Sequence, residues 1–263
     1  MRITLEPSKF EHILRVALIG DNKTLLEKCT VELRDTGIVV KDRSYNSVIN
    51  HSIYSDAYFK EYKKEANTSP DKVVLTKSLL DKLKLFKSEK EMTIEVTSTT
   101  ISMKSPKVSY EEELLQPSDE EEFGIEMQKT EFGLMPKKLS EEGSHTYFTI
   151  DASHLNDLPD SETITFRTTK ENTSSLECEI VDRGITKMSF PISPDENRLS
   201  EINYTGNFNG SVLSKIISNL TGSVHMILTD TGLVINNKNP DYVLTYGQAA
   251  QAQKRTVEVE PEE

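Results

Sequence analysis

The stretch Gln116-Pro117-Ser118-Asp119-Glu120-Glu121-Glu122-Phe123-Gly124-Ile125-Glu126-Met127 divides the 263-residue chain near its middle. It forms the centre of an acidic segment from Glu111 to Glu142. No lysine or arginine occurs between Glu111 and Glu126, so repulsion between carboxylates predicts an extended, hydrated connector. Its apolar residues, Phe123 and Ile125 among them, allow two interpretations: they attach the connector to its own domains, or they help form a docking strip for partners.

The sequence on either side of the connector is long enough for two domains, each able to bury a core. An apolar content of 35% and a charged content of 28% describe a globular protein with a well-solvated surface. No apolar run approaches the roughly 20 residues of a membrane span, and we expect neither a signal peptide nor membrane attachment. The net charge of −12 argues against nucleic-acid binding by bulk charge.

One order of elements, a strand, a helix and two or three antiparallel strands, is predicted four times along the chain. The predicted helices begin near residues 8, 77, 151 and 211, and Ser8-Lys9-Phe10-Glu11 fits a capping box. The turn Asp35-Thr36-Gly37 recurs as Asp230-Thr231-Gly232, each time between strands that follow an amphipathic helix. These matches indicate an internal duplication.

The sequence contains no motif of enzymatic chemistry. Phosphate-binding loops, zinc-protease motifs and calcium loops are absent from it. Cys29 and Cys178 lie in different halves in alternating strand patterns, which predicts core packing and no disulfide. Ser153 and His154, beside Asp151, fit a short capped helix better than a catalytic cluster. We therefore expect no enzymatic activity, no catalytic residue, no metal and no cofactor.

Cationic residues are concentrated on the polar faces of several predicted helices, although the third carries Asp151 and Asp157 instead. If all four helices lay on one face of a sheet, they would form a mildly basic surface on an acidic body. Such a surface suits loose, sequence-independent contact with phosphates. The candidate residues are Lys9, His12, Arg15, Lys77, Lys82, Lys84, Lys87 and Lys215.

Three segments together resemble the DNA sliding clamp family of archaea, eukaryotes and some viruses, the proliferating cell nuclear antigen type. Glu121–Ile125 resembles its interdomain connecting loop, and Asp241–Tyr246 its final strand. Gly37–Val40 followed by Ser47–Ile49 resembles the strand pair after the first helix. The likeness in unit order covers nearly the whole chain. It implies an α+β DNA clamp fold, with two similar domains of antiparallel sheets and two helices each on one face, assembling into a closed ring.

The resemblance also implies a division of the chain and an assembly. We expect an N-terminal clamp domain at 1–115, an acidic interdomain connector at 116–146, a C-terminal clamp domain at 147–247 and a disordered acidic tail at 248–263. The edge strand Lys107 to Leu115 would pair with Ile185 to Ile192 of the next subunit of a homotrimer. The implied interface residues are Val108, Tyr110, Leu114, Ile185, Met188 and Phe190.

The function implied by the resemblance is that of a DNA polymerase processivity factor. The ring would encircle double-stranded DNA without sequence preference, with the helix cations facing the DNA. DNA polymerase, other clamp-binding replication and repair proteins and a clamp loader would be its partners. Its location would be cytoplasmic and nucleoid-associated in an archaeal or viral setting, and nuclear in a eukaryote. The implied partner-binding pocket consists of Val40, Val48, Phe123, Gly124, Ile125 and Tyr246.

Some positions depart from the family pattern. Arg43 stands where a hydrophobic pocket residue is expected, and Gly247-Gln248-Ala249 replaces the usual Ala-Pro after the last strand. Two alternatives stay open. The chain could be one subunit of a heterotrimeric, checkpoint-type clamp, or a monomeric viral processivity factor that charge holds on DNA.

Overall fold

The computed structural model describes residues 1–20, 24–44, 48–65, 69–117, 125–130, 133–141, 145–156, 158, 162–171, 175–192, 205–229 and 231–251. The strands of the first half are β1 (Arg2–Leu5), β2 (Lys28–Arg34), β3 (Gly37–Ser44), β4 (Val48–Ser55), β5 (Glu61–Lys63), β6 (Lys72–Thr76), β7 (Met92–Val96), β8 (Thr100–Lys104) and β9 (Ser109–Glu113). The remaining strands are β10 (Met127–Thr130), β11 (Gly133–Pro136), β12 (His145–Asp151), β13 (Ile164–Glu171), β14 (Ser175–Asp182), β15 (Ile185–Ile192), β16 (Thr205–Phe208), β17 (Ser223–Thr229), β18 (Gly232–Lys238) and β19 (Tyr242–Ala249). The α-helices are α1 (Pro7–Leu18), α2 (Lys77–Leu83), α3 (Lys137–Glu141) and α4 (Gly210–Ile217), and three-residue or four-residue 3-10 helices lie at Asp56–Tyr58, Lys84–Phe86 and Ala152–Leu155.

One eight-stranded antiparallel sheet runs through both halves of the chain in the order β12-β17-β18-β19-β4-β3-β2-β6. The two halves meet where β19 pairs with β4, with Tyr246 opposite Asn50 and Gly247 opposite Ile49. The order of strands is symmetric about this seam, because the β2–β3 and β17–β18 hairpins occupy equivalent places. The internal duplication predicted from the two glycine turns is therefore confirmed.

The predicted fourfold order of elements is also confirmed. Each half contains two units of strand, helical segment and three strands, and β5 is the one strand among the described residues of the first half that falls outside this order. The outer strands of the units form a five-stranded sheet, β5-β1-β7-β8-β9, and a four-stranded sheet, β15-β14-β13-β16. The chain thus consists of two lobes of like architecture, joined edge to edge through the eight-stranded sheet.

The larger of two hydrophobic clusters among the described residues lies between the sheets and the helical segments. α1 buries Phe10, Ile13, Leu14 and Ala17, which recur at the spacing of one helix face. α4, α2 and the 3-10 helix at Ala152–Leu155 bury their apolar side chains in the same cluster. All four segments therefore pack on one face of the eight-stranded sheet, which we call its inner face.

Two details of the helices differ from the sequence-based prediction. α1 begins at Pro7 rather than after a Ser8 cap, because proline fits the first helical turn, and no side chain caps this end. The third predicted helix, from Asp151, is only a 3-10 turn at Ala152–Leu155, which Asp151 caps by accepting from the Ser153 N–H at 2.8 Å. Asn209 caps α4, accepting from the Val212 N–H.

The connector is more structured than an extended hydrated strand. Residues 118–124 lie outside the described part, but β10 and β11 form an antiparallel hairpin directly after Glu126, and α3 follows it. The C-terminal sheet strand also continues to Ala249, beyond the predicted boundary at residue 247, and the Gln251 N–H donates to the Asn207 carbonyl at 2.8 Å. Both segments gain structure through hydrogen bonds to distant parts of the chain.

Candidate functional site

The helix surface carries most of the predicted DNA-facing cations, and several of them are paired. Arg15 contacts Glu11 at 2.7 Å, Lys77 contacts Glu27 at 3.3 Å, and Lys84 contacts Asp81 at 2.8 Å. Exposed pairs of this kind partly neutralise the surface. The remaining candidates are placed as follows: Lys9 donates to the Tyr58 carbonyl, Lys82 lies 5.8 Å from the Tyr110 ring centroid, Lys87 is exposed, and Lys215 is half-buried.

His12 differs from the other members of this predicted set. Its ring is half-buried among Tyr54, Tyr58 and Tyr242, with its Nδ1 atom 3.2 Å from the Tyr58 hydroxyl. Burial is the largest cause that lowers the pKa of His12, so the ring is uncharged at neutral pH. The aromatic cluster belongs to both lobes, since Tyr242 lies on β19 and Tyr54 on β4. His12 therefore acts in packing at the seam and adds no cation to the helix surface.

The predicted interface strands lie at the edges of their sheets. β9 ends the five-stranded sheet and β15 ends the four-stranded one, so among the described residues neither strand is paired on its outer side. Val108, Tyr110, Leu114 and Met188 are half-buried against the core, whereas Ile185 is 61% exposed. Phe190 lies in β15, but its side chain is outside what the structure describes. Unpaired edges of this length invite pairing with another strand.

The predicted pocket residues on the sheet face inward. Val40, Val48 and Tyr246 have no exposed surface, because alternate side chains of β3, β4 and β19 point to the helices. Their side chains present no accessible surface, which argues against a pocket lined by these three residues. Burial also raises the pKa of Tyr246. Phe123 and Gly124 lie outside the described residues, and Ile125 is half-buried.

The outer face of the same strands is partly open. The outward residues form cross-strand rows: Arg43 lies opposite Ile49, which lies opposite Gly247, and Val39 lies opposite Ile53, which lies opposite Val243. Ile49, Ile53 and Val243 are half-buried. A Cβ atom added at Gly247 would lie 3.5 Å from the Ile49 Cβ. Because glycine has no side chain, the surface is shallowly depressed beside Ile49. We call Ile49, Ile53, Val243 and Gly247 the outer apolar strip.

The connector hairpin covers the outer face beside this strip. Met135 of β11 is fully buried against Ile227 and Val234, with Leu139 and Tyr147 packed around them. The Asn236 side chain holds the hairpin, accepting from the Leu134 N–H at 3.2 Å and donating to the Leu134 carbonyl at 2.9 Å. The interpretation that apolar connector residues attach it to its own domain is confirmed for Met135.

Substituting Asn236 with leucine is expected to detach the hairpin from the sheet. The change removes both bonds to Leu134 and the bond that Asn236 accepts from Thr245, for a loss of about 1–3 kcal/mol. Hydrogen exchange at the Leu134 amide should accelerate strongly, while exchange in β7 and β8 stays unchanged. Asn239→Leu, just after β18, is the matched control. Equal exchange at Leu134 in the two variants would contradict this role of Asn236.

His51 lies on the outer face next to two cations and one carboxylate. Burial, followed by the charges of Lys41 and Arg34, lowers its pKa from 6.5 to about 4, and Glu32 opposes the shift. The unfolded chain therefore binds a proton near pH 6.5, whereas the folded chain does not until about pH 4. Between these values protonation favours the unfolded state.

The folded chain is consequently expected to lose stability relative to a His51→Gln variant as the pH falls from 6.5 to about 4. The full shift corresponds to about 3 kcal/mol, which solvent screening of the half-buried ring reduces to about 1–2 kcal/mol. Urea unfolding of both proteins at pH 7, 5.5 and 4.5 measures this difference. A difference that does not change with pH would show that His51 titrates normally.

The described residues contain no group of three or more His, Cys, Asp or Glu side chains that could hold a metal ion. Cys29 is buried, and its thiol lies 3.5 Å from the Thr30 carbonyl oxygen. None of the helices in the described part is long and apolar enough to cross a membrane.

Solved structures of proliferating cell nuclear antigens superpose on this chain. The protein of Entamoeba histolytica superposes with a TM-score of 0.68 at 12% sequence identity, over 95% of this chain and 98% of that one. The A. fulgidus protein, solved with the C-terminal region of FEN-1 bound, gives a TM-score of 0.70 at 12% identity over 96% and 98% of the two chains. A chain of the PCNA2–PCNA3 complex of Sulfolobus tokodaii gives 0.68 at 12% identity, over 95% and 99%.

No protein-family model and no curated protein sequence matches this chain. The structural similarity nevertheless extends over nearly the full length of both partners in each superposition. The chain has the α+β sliding clamp fold that the sequence resemblance predicted.

Proposed function

We propose that this chain is a DNA polymerase processivity factor that encircles duplex DNA as a homotrimeric ring and tethers replication and repair enzymes to it. The observation that carries the proposal is the arrangement of the lobes. The helical segments of the four repeated units lie on the inner face, and within the described residues an unpaired edge strand ends the outer sheet of each lobe. Head-to-tail pairing of β9 with β15 of the next copy would close a ring and leave neither edge open.

The two edges have complementary charge. β9 exposes Glu111 and Glu113, whereas β15 exposes Lys187, and Arg183 is exposed in the turn before it. Opposite charges on facing strands favour pairing and its register. A head-to-tail interface of this kind is heterologous, and a rotation of one third of a turn per subunit gives a trimer.

The paired cations of the helix surface fit a ring that does not grip its DNA. Glu11, Asp81 and Glu27 reduce the net positive charge that a phosphate backbone would meet. Fewer neutralised phosphates mean weaker and more mobile contacts. Encirclement keeps the ring on the DNA without tight contact, so a weakly basic helix surface allows the ring to slide.

The outer apolar strip beside the connector hairpin is the proposed docking place for DNA polymerase and other clients. It replaces the inward residues of the predicted pocket. The A. fulgidus protein is described with the C-terminal region of FEN-1 bound, which supports short client segments as ligands for this fold. Opening of the closed ring by a clamp loader is part of the same proposal.

Salt dependence on short linear duplex DNA tests the ring against a monomer that charge holds on DNA. A ring can slip off open ends, so we expect only weak binding at 50 mM salt that changes little by 200 mM. Fluorescence anisotropy with a labelled 30-base-pair duplex measures this. Tight binding at 50 mM that falls by about three orders of magnitude at 200 mM would instead support the charge-held monomer.

A heterotrimeric clamp subunit is the second candidate, because one similar structure contains two different chains, PCNA2 and PCNA3. Light scattering of the chain alone separates the two cases. A homotrimer has a mass of about 90 kDa, three times the 29.8 kDa of one chain. A subunit of a heterotrimer stays smaller until its sister subunits are added.

A further inference from the structure

The outer face of β2, β3, β4 and β6 carries a concentration of cations on a chain of net charge −12. Arg34 and Lys41 share this face with Glu32, since Lys41 contacts Glu32 at 2.7 Å and Arg34 contacts it at 2.8 Å. Arg43 and Lys72 are exposed on the same face, as their cross-strand partners Ile49 and Glu32 show. We call Arg34, Lys41, Arg43 and Lys72 the outer basic face.

The outward residues of β2, β3 and β4 include more cations than carboxylates. Glu32 is the only carboxylate among the described outward residues of β2, β3 and β4, and two cations share it. Burial raises the pKa of Glu32, but the hydrogen bonds from Lys41 and Arg34 outweigh burial and lower it. Nearby His51 is held uncharged by burial and by the same two cations. Arg43 forms no ion pair with any carboxylate in the described residues.

Arg43 also borders the outer apolar strip directly. It lies opposite Ile49 in the β3–β4 pair, and Ile49 lies opposite Gly247 in the β4–β19 pair. Lys41 is two residues along β3 on the same side of the sheet. An extended ligand whose apolar side chain rests over Ile49 and Gly247 would therefore place neighbouring side chains within reach of both cations.

We propose that the outer basic face selects client segments in which acidic residues flank the apolar anchor. The anchor occupies the outer apolar strip, and the flanking carboxylates pair with Arg43 and Lys41. Arginine suits this role because its guanidinium donates two parallel hydrogen bonds to the two oxygens of a carboxylate. The inference rests on the proposed function, since it names the charge of the clients that dock on this clamp.

Three versions of one peptide test the proposal: the C-terminal region of FEN-1 with its flanking positions changed to Glu, Lys or Gln. Their affinities for the full chain are measured by fluorescence anisotropy at 50 mM and 300 mM salt. The variants are Arg43→Glu and the double variant Lys41→Glu with Arg43→Glu. Lys90→Glu, in the loop after α2, makes the same change in net charge on the helix side and serves as the matched control.

The Glu-flanked peptide is expected to bind at least about fivefold more tightly than the Lys-flanked one at 50 mM salt, and the difference should shrink at 300 mM. Arg43→Glu should cancel this preference, the double variant should reverse it, and Lys90→Glu should leave it. Equal affinity for the three peptides, or a preference for Lys flanks, would overturn the inference but not the proposed ring. Failure of every peptide to bind would overturn the docking strip as well.

The chain's own C-terminal tail is the competing occupant, because residues 252–263 include Glu258, Glu260, Glu262 and Glu263. A variant of the chain with these four residues changed to Gln decides whether the client peptide or the tail occupies the outer basic face. The proposal predicts that this variant still prefers the Glu-flanked peptide. The ratio of its affinities for the Glu-flanked and Lys-flanked peptides should stay within about twofold of that of the unmodified chain. If peptide affinity rises strongly in this variant and the rise disappears with Arg43→Glu, the tail occupies the face and the proposal is overturned.

Discussion

A Glu111→Pro chain is expected to run as a monomer in light scattering, under conditions where the unmodified chain runs as a trimer of about 90 kDa. The reason is the direction of the backbone groups in β9. The Leu114 N–H donates to the Thr99 carbonyl at 2.7 Å, and the Val108 carbonyl accepts from the Ser105 N–H at 2.8 Å. Even-numbered residues of this strand thus bond towards β8, and alternation directs the Glu111 N–H to the open edge.

Proline at this position removes one outward donor without breaking a bond to β8. Its ring also fits the backbone of an edge strand. The fold should therefore survive, with a melting temperature within a few degrees of the unmodified chain. Glu111→Ala is the control, because it removes the same carboxylate and keeps the N–H. A trimer that persists in the proline variant would show that β9 does not form the subunit interface.

Gly37→Ala is expected to lower the free energy of unfolding by more than about 3 kcal/mol, which in urea unfolding would leave little folded protein. Gly37 has φ +135° at the β2–β3 turn, and an added Cβ would lie 1.9 Å from the Tyr54 backbone carbonyl oxygen. Neither the added Cβ atom nor the Tyr54 oxygen can move away without separating β3 from β4. β4 is the strand that pairs with β19 at the seam between the lobes.

Gly184→Ala is the matched control for this prediction. Its φ is +78°, but no atom of the described residues lies within 4 Å of the added Cβ, which leaves backbone strain of about 1 kcal/mol. A similar loss in both variants would mean that conformation, rather than the contact with Tyr54, decides the cost. A small loss at Gly37 would show that the hairpin can shift away from β4.

The repeated units were predictable because they depend on local patterns. The apolar stripe of α1 and the glycine turns before β3 and β18 are set by residues close in sequence. The face of the sheet to which a strand residue points was harder to predict from the sequence. Val39 and Val40 are both apolar, so alternation alone does not tell which one faces the helices. In the structure, strand pairing directs Val40 towards the helices. The proposed docking place therefore consists of outward residues instead of the predicted inward ones.

The connector hairpin could not be predicted from local sequence patterns, because it is held by contacts with residues distant in sequence. Asn236 holds Leu134 across 102 positions of sequence, and Gly133, with φ +123°, permits the close approach. A Cβ on Gly133 would lie 2.6 Å from the Asn236 side chain. His12 is similar, since the tyrosines around it come from both lobes. Residues whose surroundings are assembled from distant segments are those that the sequence-based prediction misplaced.

Retention on circular and linear DNA tests the central claim most directly. The chain is bound to nicked circular duplex DNA, unbound protein is removed by gel filtration, and half of the sample is cut once with a restriction enzyme. An encircling ring should stay on the intact circle through a wash at 300 mM salt and leave the cut DNA within the same time. Equal retention on both, or equal loss from both, would contradict encirclement.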